Sequence, residues 1–495
     1  MIINQIKLGP GESIERLPQK IQKKTGRKVK NWRIVRESID ARNKKDIKMV
    51  YSVEFNYEPE EKREEIPQVS SELRPAVIGF GPCGIFSALV MARAGLKPLV
   101  LERGMDVDTR TAQVEKFWAE GVLDTESNVQ FGEGGAGAFS DGKLTTGIKD
   151  PRVRFVLEEL ARHGGPEDIL YKARPHIGTD ILKTVVKNIR EEIRALGGEV
   201  IFGARVTGLE ISGGKVTGVR YLHEGEEKIH RTSHAVLAIG HSSRDTLKWL
   251  RDMGVDMTQK QFSMGVRAEH PQDLIDIAQY GRPARELGLP VADYKLSMRT
   301  EEDRGVYTFC MCPGGKVIVA SSEEGMVVTN GMSYHARNSG YANSAVLVDV
   351  RPSDFGTDDV LGGVYLQQKY ERMAYVKGLG YHAPKAFWKD MKEDRAEDVR
   401  ACLPDFVYDS IKEAMPVFGR KLKGFDDDET VIYAVESRSS SPVRLVRDED
   451  LQGKAGGSTL EGFYPAGEGA GYAGGIVSAA VDGIRAANKI IETLI

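Results

Sequence analysis

The chain has 495 residues, 41% of them hydrophobic, and a formal net charge of −3. That length predicts several domains with ample material for a core, and the near-neutral balance excludes a protein that works through global charge on nucleic acid or membrane. Four cysteines in so long a chain exclude a disulfide framework.

Residues 1–70 read as a small basic α+β module with a linker. Met1–Leu8 reads as a strand, Ser13–Thr25 as a helix, and Val29–Ser38 and Lys48–Tyr57 as two more strands. Residues 1–50 carry 14 Lys/Arg against 5 Asp/Glu, a local +9. A solvated basic face accounts for this excess. An RNA surface is the alternative, and the absence of interleaved aromatics beyond Trp32 counts against it. The charged stretch Glu58–Ser71 reads as a linker. The N-terminus lacks a basic segment followed by an apolar one, and no apolar run is long enough to span a bilayer, so a cytoplasmic protein without a membrane partner is expected.

Ala76–Ile78 reads as a buried parallel strand, Ile85–Ala94 as a helix and Pro98–Leu101 as a second strand ending at Glu102. Between strand and helix, Gly79-Phe80-Gly81-Pro82-Cys83-Gly84 has the spacing G-x-G-x-x-G, with the acid 23 positions after the first glycine. Gly79 allows the tight turn, Gly81 lets the backbone approach a pyrophosphate, and Gly84 permits close helix–strand packing. The helix N-terminus offers unpaired N–H groups to phosphate, and Glu102 can accept hydrogen bonds from a ribose diol.

Arg103–Gly121 reads as loop and helix. In Asn128–Lys143, four glycines (Gly132, Gly134, Gly135, Gly137) let the backbone pass close to a large ligand, with Ser140, Asp141 and Lys143 as polar groups facing it. Ile177–Leu196 reads as an amphipathic helix and Glu199–Phe202 as a strand. Arg205–Ile211, Lys215–Leu222 and Glu227–Arg231 read as a three-strand meander, and His234–Gly240 as a buried strand ending in glycine. Residues 251–424 change texture: strands at Phe262–Glu269, Gly305–Met311, Lys316–Ser321 and Ser344–Val350, a helix at Leu361–Lys377, and no second dinucleotide loop with flanking strand and helix. This stretch is expected to be an inserted domain. Cys310 and Cys312 fall in an apolar run and read as core thiols rather than a redox pair or metal ligands, and no metal is expected. The chain then returns through Val431–Glu436, Ser437–Arg444, a short strand at Gly462–Ala466, and a closing helix from Ile476. Glu468 is placed to bind a polyol, and Gly474-Gly475 open a helix N-terminus that can face an electron-rich ring edge.

The first βαβ unit with Glu102, the strand ending Ala238-Ile239-Gly240, and Tyr464-Pro-Ala-Gly-Glu468 with its helix together resemble the FAD-binding domain of glutathione-reductase-type Rossmann flavoproteins. That family commonly carries Asp where this chain has Glu468. Gln130–Lys143, Cys312–Gly315, Thr329–Met332, Glu436–Arg438, Ser441–Arg444 and Gly467–Gly475 are similar to the family known only as FAD-dependent dehydrogenases, a resemblance over nearly the whole chain. It implies an α/β fold: a Rossmann-type FAD-binding domain with a three-strand meander (residues 71–250 and 425–495), an inserted mixed α+β substrate domain (251–424) and the N-terminal module. It implies FAD as cofactor and no particular substrate. The expected FAD contacts are Gly79, Gly81, Pro82, Cys83, Gly84, Glu102, Arg103, Gly134, Gly135, Ala136, Lys143, Val206, Gly240, Gly467, Glu468, Gly474, Gly475 and Ile476.

The expected activity is an oxidoreductase, dehydrogenase or reductase, moving hydride or electrons between the flavin and a small, anionic molecule. NAD(P)H or another electron donor is the second expected partner. Lys143, His241, Arg438 and Arg444 are the candidate catalytic or substrate-binding groups: Arg438 and Arg444 flank a Ser/Pro loop that could aim guanidinium groups at an anion, and His241 could donate a proton. The alternative is a flavin-dependent protein that binds or modifies RNA through the basic module.

Overall fold

The structure, a computed structural model, describes residues 1–58 and 66–495; residues 59–65 of the charged linker lie outside the described residues. Three-residue apolar strands form the first sheet. Its order is Phe463–Pro465, Ala235–Leu237, Ala76–Ile78, Leu99–Leu101, Glu199–Ile201, and all four pairings are parallel. Every residue of the three central strands is buried, as expected where both faces of a parallel sheet are covered. One cover is the helix Pro82–Arg93, which buries ten consecutive residues. It begins three residues earlier than periodicity predicts, because Pro82 occupies the first helical position, where its missing N–H costs nothing. The closing helix Ile476–Glu492 and the helix Thr179–Ala195 join the same apolar cluster. Arg205–Ser212, Lys215–His223 and Glu226–Arg231 pair antiparallel in a small separate sheet.

The chain leaves this lobe after the helix Arg244–Asp252 and returns near Val443. The outgoing strand Met257–Gln259 and the incoming strand Val443–Leu445 pair antiparallel, so the two crossings are tied to each other. Between them lies a six-stranded sheet ordered Ser297–Arg299, Gly305–Cys312, Tyr341–Val350, Phe262–Pro271, Val431–Glu436, Lys385–Phe387. Lys316–Val319 is not one of its strands; it forms a hairpin with Thr329–Met332. The helix Asp405–Lys421, with Pro416 inside it, packs Val407, Ile411, Met415 and Phe418 into this lobe's core. In the N-terminal module the helix Leu17–Thr25 covers one face of a sheet ordered Ile2–Leu8, Lys48–Phe55, Trp32–Asp40. The expected helix start at Ser13 is a short 3₁₀ turn, Ile14–Arg16, capped by the Ser13 hydroxyl. Among the described residues no helix is long and apolar enough to cross a membrane.

Candidate functional site

One cavity of about 700 Å³ runs between the first sheet's carboxyl ends and the second sheet. Its inner wall is built by close backbone approaches. Gly79 has φ +99°, and a Cβ there would lie 2.6 Å from the Ala238 carbonyl oxygen. Gly135, at φ +58°, stacks on Gly81, where a Cβ would come within 3.1 Å of the Gly81 Cα. Only glycine suits both requirements at these positions. Two helix N-termini open on this wall, at Gly81 and Gly475, and neither has a side-chain cap. The amide of Ala479 already bonds the Gly475 carbonyl, so the three amides before it have no partner within the helix. Such a cradle suits an anionic, electron-rich ligand.

Glu102 is buried against the same wall. Its carboxylate accepts from the amides of Phe80 (2.7 Å), Gly104 (2.9 Å) and Gly132 (2.9 Å), so it gathers three loops as well as facing the cavity. Arg103 stacks 4.2 Å over the Phe131 ring and is held by Glu126 and Asp245. Burial would depress its guanidinium, but those two carboxylates hold it raised. Gly79, Gly81, Pro82, Cys83, Glu102, Arg103, Gly135, Ala136, Lys143, Val206, Gly240, His241, Arg438, Glu468, Gly474, Gly475 and Ile476 all line the cavity.

Three expected cofactor contacts do not. Gly84 packs directly under the Gly79 carbonyl, Gly134 donates its amide to the Phe80 carbonyl at 2.9 Å, and Gly467 lies against the Cys83 side chain. They shape the cradle from behind. Glu468 reaches His241, with Oε1 3.0 Å from Nδ1, so a polyol at this wall meets a carboxylate–imidazole pair.

The expected substrate groups separate. Arg444 is exposed and outside the cavity. Alternation along Val443–Leu445 turns its neighbours inward and Arg444 outward, over the Tyr472 ring at 5.1 Å. Arg438 lines the cavity, but its guanidinium is committed to Glu371 (2.7 Å), Glu323 (3.3 Å) and the Ser322 hydroxyl (2.6 Å). Through a further bond to the Ser242 hydroxyl of the first lobe, at 3.2 Å, it bridges the lobes instead of waiting for an anion. Lys143 donates to the Met311 carbonyl and has no carboxylate partner among the described residues. Of the original set it is the cation left for a ligand.

Sequence reading expected the second lobe to bound the substrate and marked Cys312–Gly315 and Thr329–Met332 by resemblance, but assigned no site residue there. Thr308–Cys312 and Val328–Gly331 from the second lobe face the cavity, with the Asn330 side chain among them. Cys310 is not a core thiol. Pairing slips between Phe309 and Cys312, and Cys310 takes φ +41°, which turns it onto the cavity while Cys312 stays buried. A bulge re-aims a side chain in this way and breaks the alternation that a strand pattern assumes. The Cys310 thiol opens deep inside the molecule, and that burial pushes it up to about 11. In native apoprotein, therefore, a disulfide reagent such as DTNB at pH 8 should titrate one thiol, slowly because little is thiolate. Cys83, Cys312 and Cys402, all buried, should react only after denaturation. Replacing Cys310 by Ser should abolish the native reaction.

Elsewhere, Glu159, His163 and Glu192 converge in metal-like spacing. Arg93 sits among them, 2.5 Å from Glu159 and 2.7 Å from Glu192, so a guanidinium fills the place of an ion.

Residues 261–439 match the family model of the FAD-dependent protein, C-terminal domain-like, and residues 1–56 match a domain of unknown function. An uncharacterized protein of Clostridium beijerinckii is 46% identical over 531 residues, covering 99% of this chain and 98% of its own length. The chain belongs to that protein's family. FAD is its cofactor. The glycine cradle and the two uncapped helix ends fit that cofactor. A probable electron transfer flavoprotein-quinone oxidoreductase, YdiS, of Escherichia coli is 28% identical over 149 residues, 29% of this chain and 32% of that one. Among solved structures, a triple mutant of the flavin-dependent brominase Bmp2 covers 86% of this chain and 81% of its own at 14% identity and TM-score 0.39. A flavoprotein/dehydrogenase from Cytophaga hutchinsonii covers 85% and 78% at 13% identity and TM-score 0.36.

Proposed function

We propose that the protein is a single-Rossmann, glutathione-reductase-type flavoprotein, cytoplasmic, that exchanges hydride or electrons with a small anionic molecule. The chain would divide into residues 1–70, a cofactor domain of 71–250 and 443–495, and a substrate domain of 251–442; the return falls later than the expected residue 425 because Val431–Glu436 is a strand of the second lobe's sheet. The observation that carries the reading is one cavity bounded by the dinucleotide cradle on one side and by Thr308–Cys312 and Asn330 of the second lobe on the other. A ligand pocket at a lobe interface is the ordinary place for a substrate beside its cofactor.

Bound FAD supplies a centre that accepts or gives a hydride. Around it, each residue has a separate task. The amides at Gly81 and Gly475 and the Glu102 carboxylate hold the cofactor's polar ends. Lys143, freed from any carboxylate, offers its ammonium to a substrate anion. His241, oriented by Glu468 through Nδ1, can move a proton at its ring nitrogen. The second lobe has no glycine-rich dinucleotide loop of its own, which favours a substrate that brings or takes the electrons directly.

The test is anaerobic titration of the yellow protein with NADH, NADPH and then small mono- and dicarboxylates, read at the flavin band. The expected result is slow or no bleaching by either nicotinamide and a band shift with carboxylates that Lys143→Met removes. Arg444→Ala serves as the control that keeps the shift. Fast bleaching by NADPH would make the protein a nicotinamide-driven reductase, and a shift retained in Lys143→Met would remove Lys143 from the anion site.

A further inference from the structure

The strand Trp32–Asp40 is the edge of the N-terminal sheet, and its outward side is occupied. The Glu37 amide donates to the Tyr171 carbonyl at 2.9 Å, and the Glu37 carbonyl accepts from the Ala173 amide at 2.8 Å. In an antiparallel ladder the N–H and C=O of one residue point to the same side, so these are groups that the partner strand Lys48–Phe55 does not use. The same short segment then turns to the cavity. Arg174 and Pro175 line it. The Leu144 amide donates to the Pro175 carbonyl and the Ile177 amide to the Gly142 carbonyl, both at 3.0 Å, with Lys143 bridged to His176 between them. Residues 171–177 are thus held outside by the module and inside by the loop that carries Lys143.

A second contact reaches the opposite rim. The Lys44 ammonium donates to the Ala278 carbonyl at 2.7 Å, and Ile47, 6% exposed, enters the cluster containing Tyr280, Ala292 and Tyr294. From there the chain runs into Asp293–Lys295, again cavity wall. Arg174 and Asp293 form an ion pair between the two rims.

We propose that the N-terminal module, which matches a domain of unknown function, braces the mouth of the flavin cavity, with Arg174–Asp293 as the latch between the two rims it supports. An exposed ion pair is a weak tie by itself. Main-chain bonds behind the Arg174 rim and a buried isoleucine behind the Asp293 rim keep its partners in register, and the same brace sets where Lys143 stands. The module is therefore a positioning element for the site.

Glu37→Pro removes the one amide that reaches Tyr171 and leaves the internal ladder intact, since proline lacks the N–H and is tolerated on an edge strand. In the full-length holoprotein it should let dithionite reduce the bound FAD several-fold faster than in wild type. FAD stoichiometry should hold, and hydrogen-exchange protection of the Leu144 and Ile177 amides should fall roughly ten-fold. Asp293→Ala should speed reduction similarly, and the double variant should be no faster than the faster single, because both open the same mouth. Lys44→Met is the milder second variant and should move both readouts less, in the same direction. Wild-type reduction rate and wild-type protection in Glu37→Pro, or in Lys44→Met should the proline variant not fold, would overturn the proposal. So would effects of Glu37→Pro and Asp293→Ala that multiply.

Discussion

Gly79→Ala should yield a colourless protein. The residue sits at φ +99°, and the new Cβ would lie 2.6 Å from the Ala238 carbonyl oxygen, a main-chain atom of the adjacent strand's end that cannot swing aside. Holding a non-glycine residue in that conformation costs about 1–3 kcal/mol; the empty loop relaxes away from it, and restoring it on binding is roughly a 5- to 160-fold loss of FAD affinity. The clash adds to this by pushing the loop off the helix N-terminus where the phosphates belong. Gly147→Ala is the matched control. Gly147 also lines the cavity, and a Cβ there meets nothing within 4 Å. Flavin content after purification and FAD titration of the apoprotein measure both. A yellow Gly79→Ala protein with unchanged affinity would mean that this turn does not hold the cofactor.

Glu371→Gln should be the most destabilising isosteric change in the second lobe. Glu371 is 0% exposed and sits between two arginines from outside its own helix, Arg244 at 2.7 Å and Arg438 at 2.7 Å, with the Ser437 hydroxyl at 2.6 Å. Burial would raise its carboxyl, but Arg244 and then Arg438 overcome that and hold it far below its ordinary 4.5. Removing the charge leaves two guanidinium groups buried with only Glu323 at the margin. Breaking a buried pair in this way costs on the order of 3–5 kcal/mol. The sign of the pH effect follows from the depressed carboxyl: its stabilisation is full above about pH 4.5 and is lost progressively as pH falls below that value. Urea unfolding at pH 7 should show the loss, and the gap between wild type and Glu371→Gln should narrow toward pH 3. An equal gap at both pH values would place the effect in packing and not in charge.

The cofactor half was legible because its rules are local. Gly79, Gly81 and Glu102 are set by two strands, one turn and one helix, and the 27 residues Ala76–Glu102 carry the whole pattern. The outer wall was not. Cys310 obeys strand alternation in the sequence and breaks it in the fold, since a register slip depends on the partner strand Tyr341–Val350. Arg438 and Arg444 look equivalent on the page. What separates them is Glu371, 67 residues from Arg438, and a strand pairing with Met257–Gln259. The helix Asp405–Lys421 was hidden by Pro416, which reads as a breaker and is accommodated inside the helix. Long-range partners decide each of these cases, and a single sequence does not display them.

The strand Phe463–Pro465 and the closing helix complete a sheet whose centre, Ala76–Leu101, is more than 360 residues earlier. A ribosome adding about 5–20 residues per second needs ~20–70 s to cover that distance. Throughout that interval the helix Pro82–Arg93, with its ten buried residues, lacks the late partner that packs Gly483 against Cys83. The nascent chain thus carries an apolar surface with no mate until the closing helix has been made. FAD loading should therefore follow completion of the chain, and a chain truncated before Phe463 should neither close this sheet nor retain FAD.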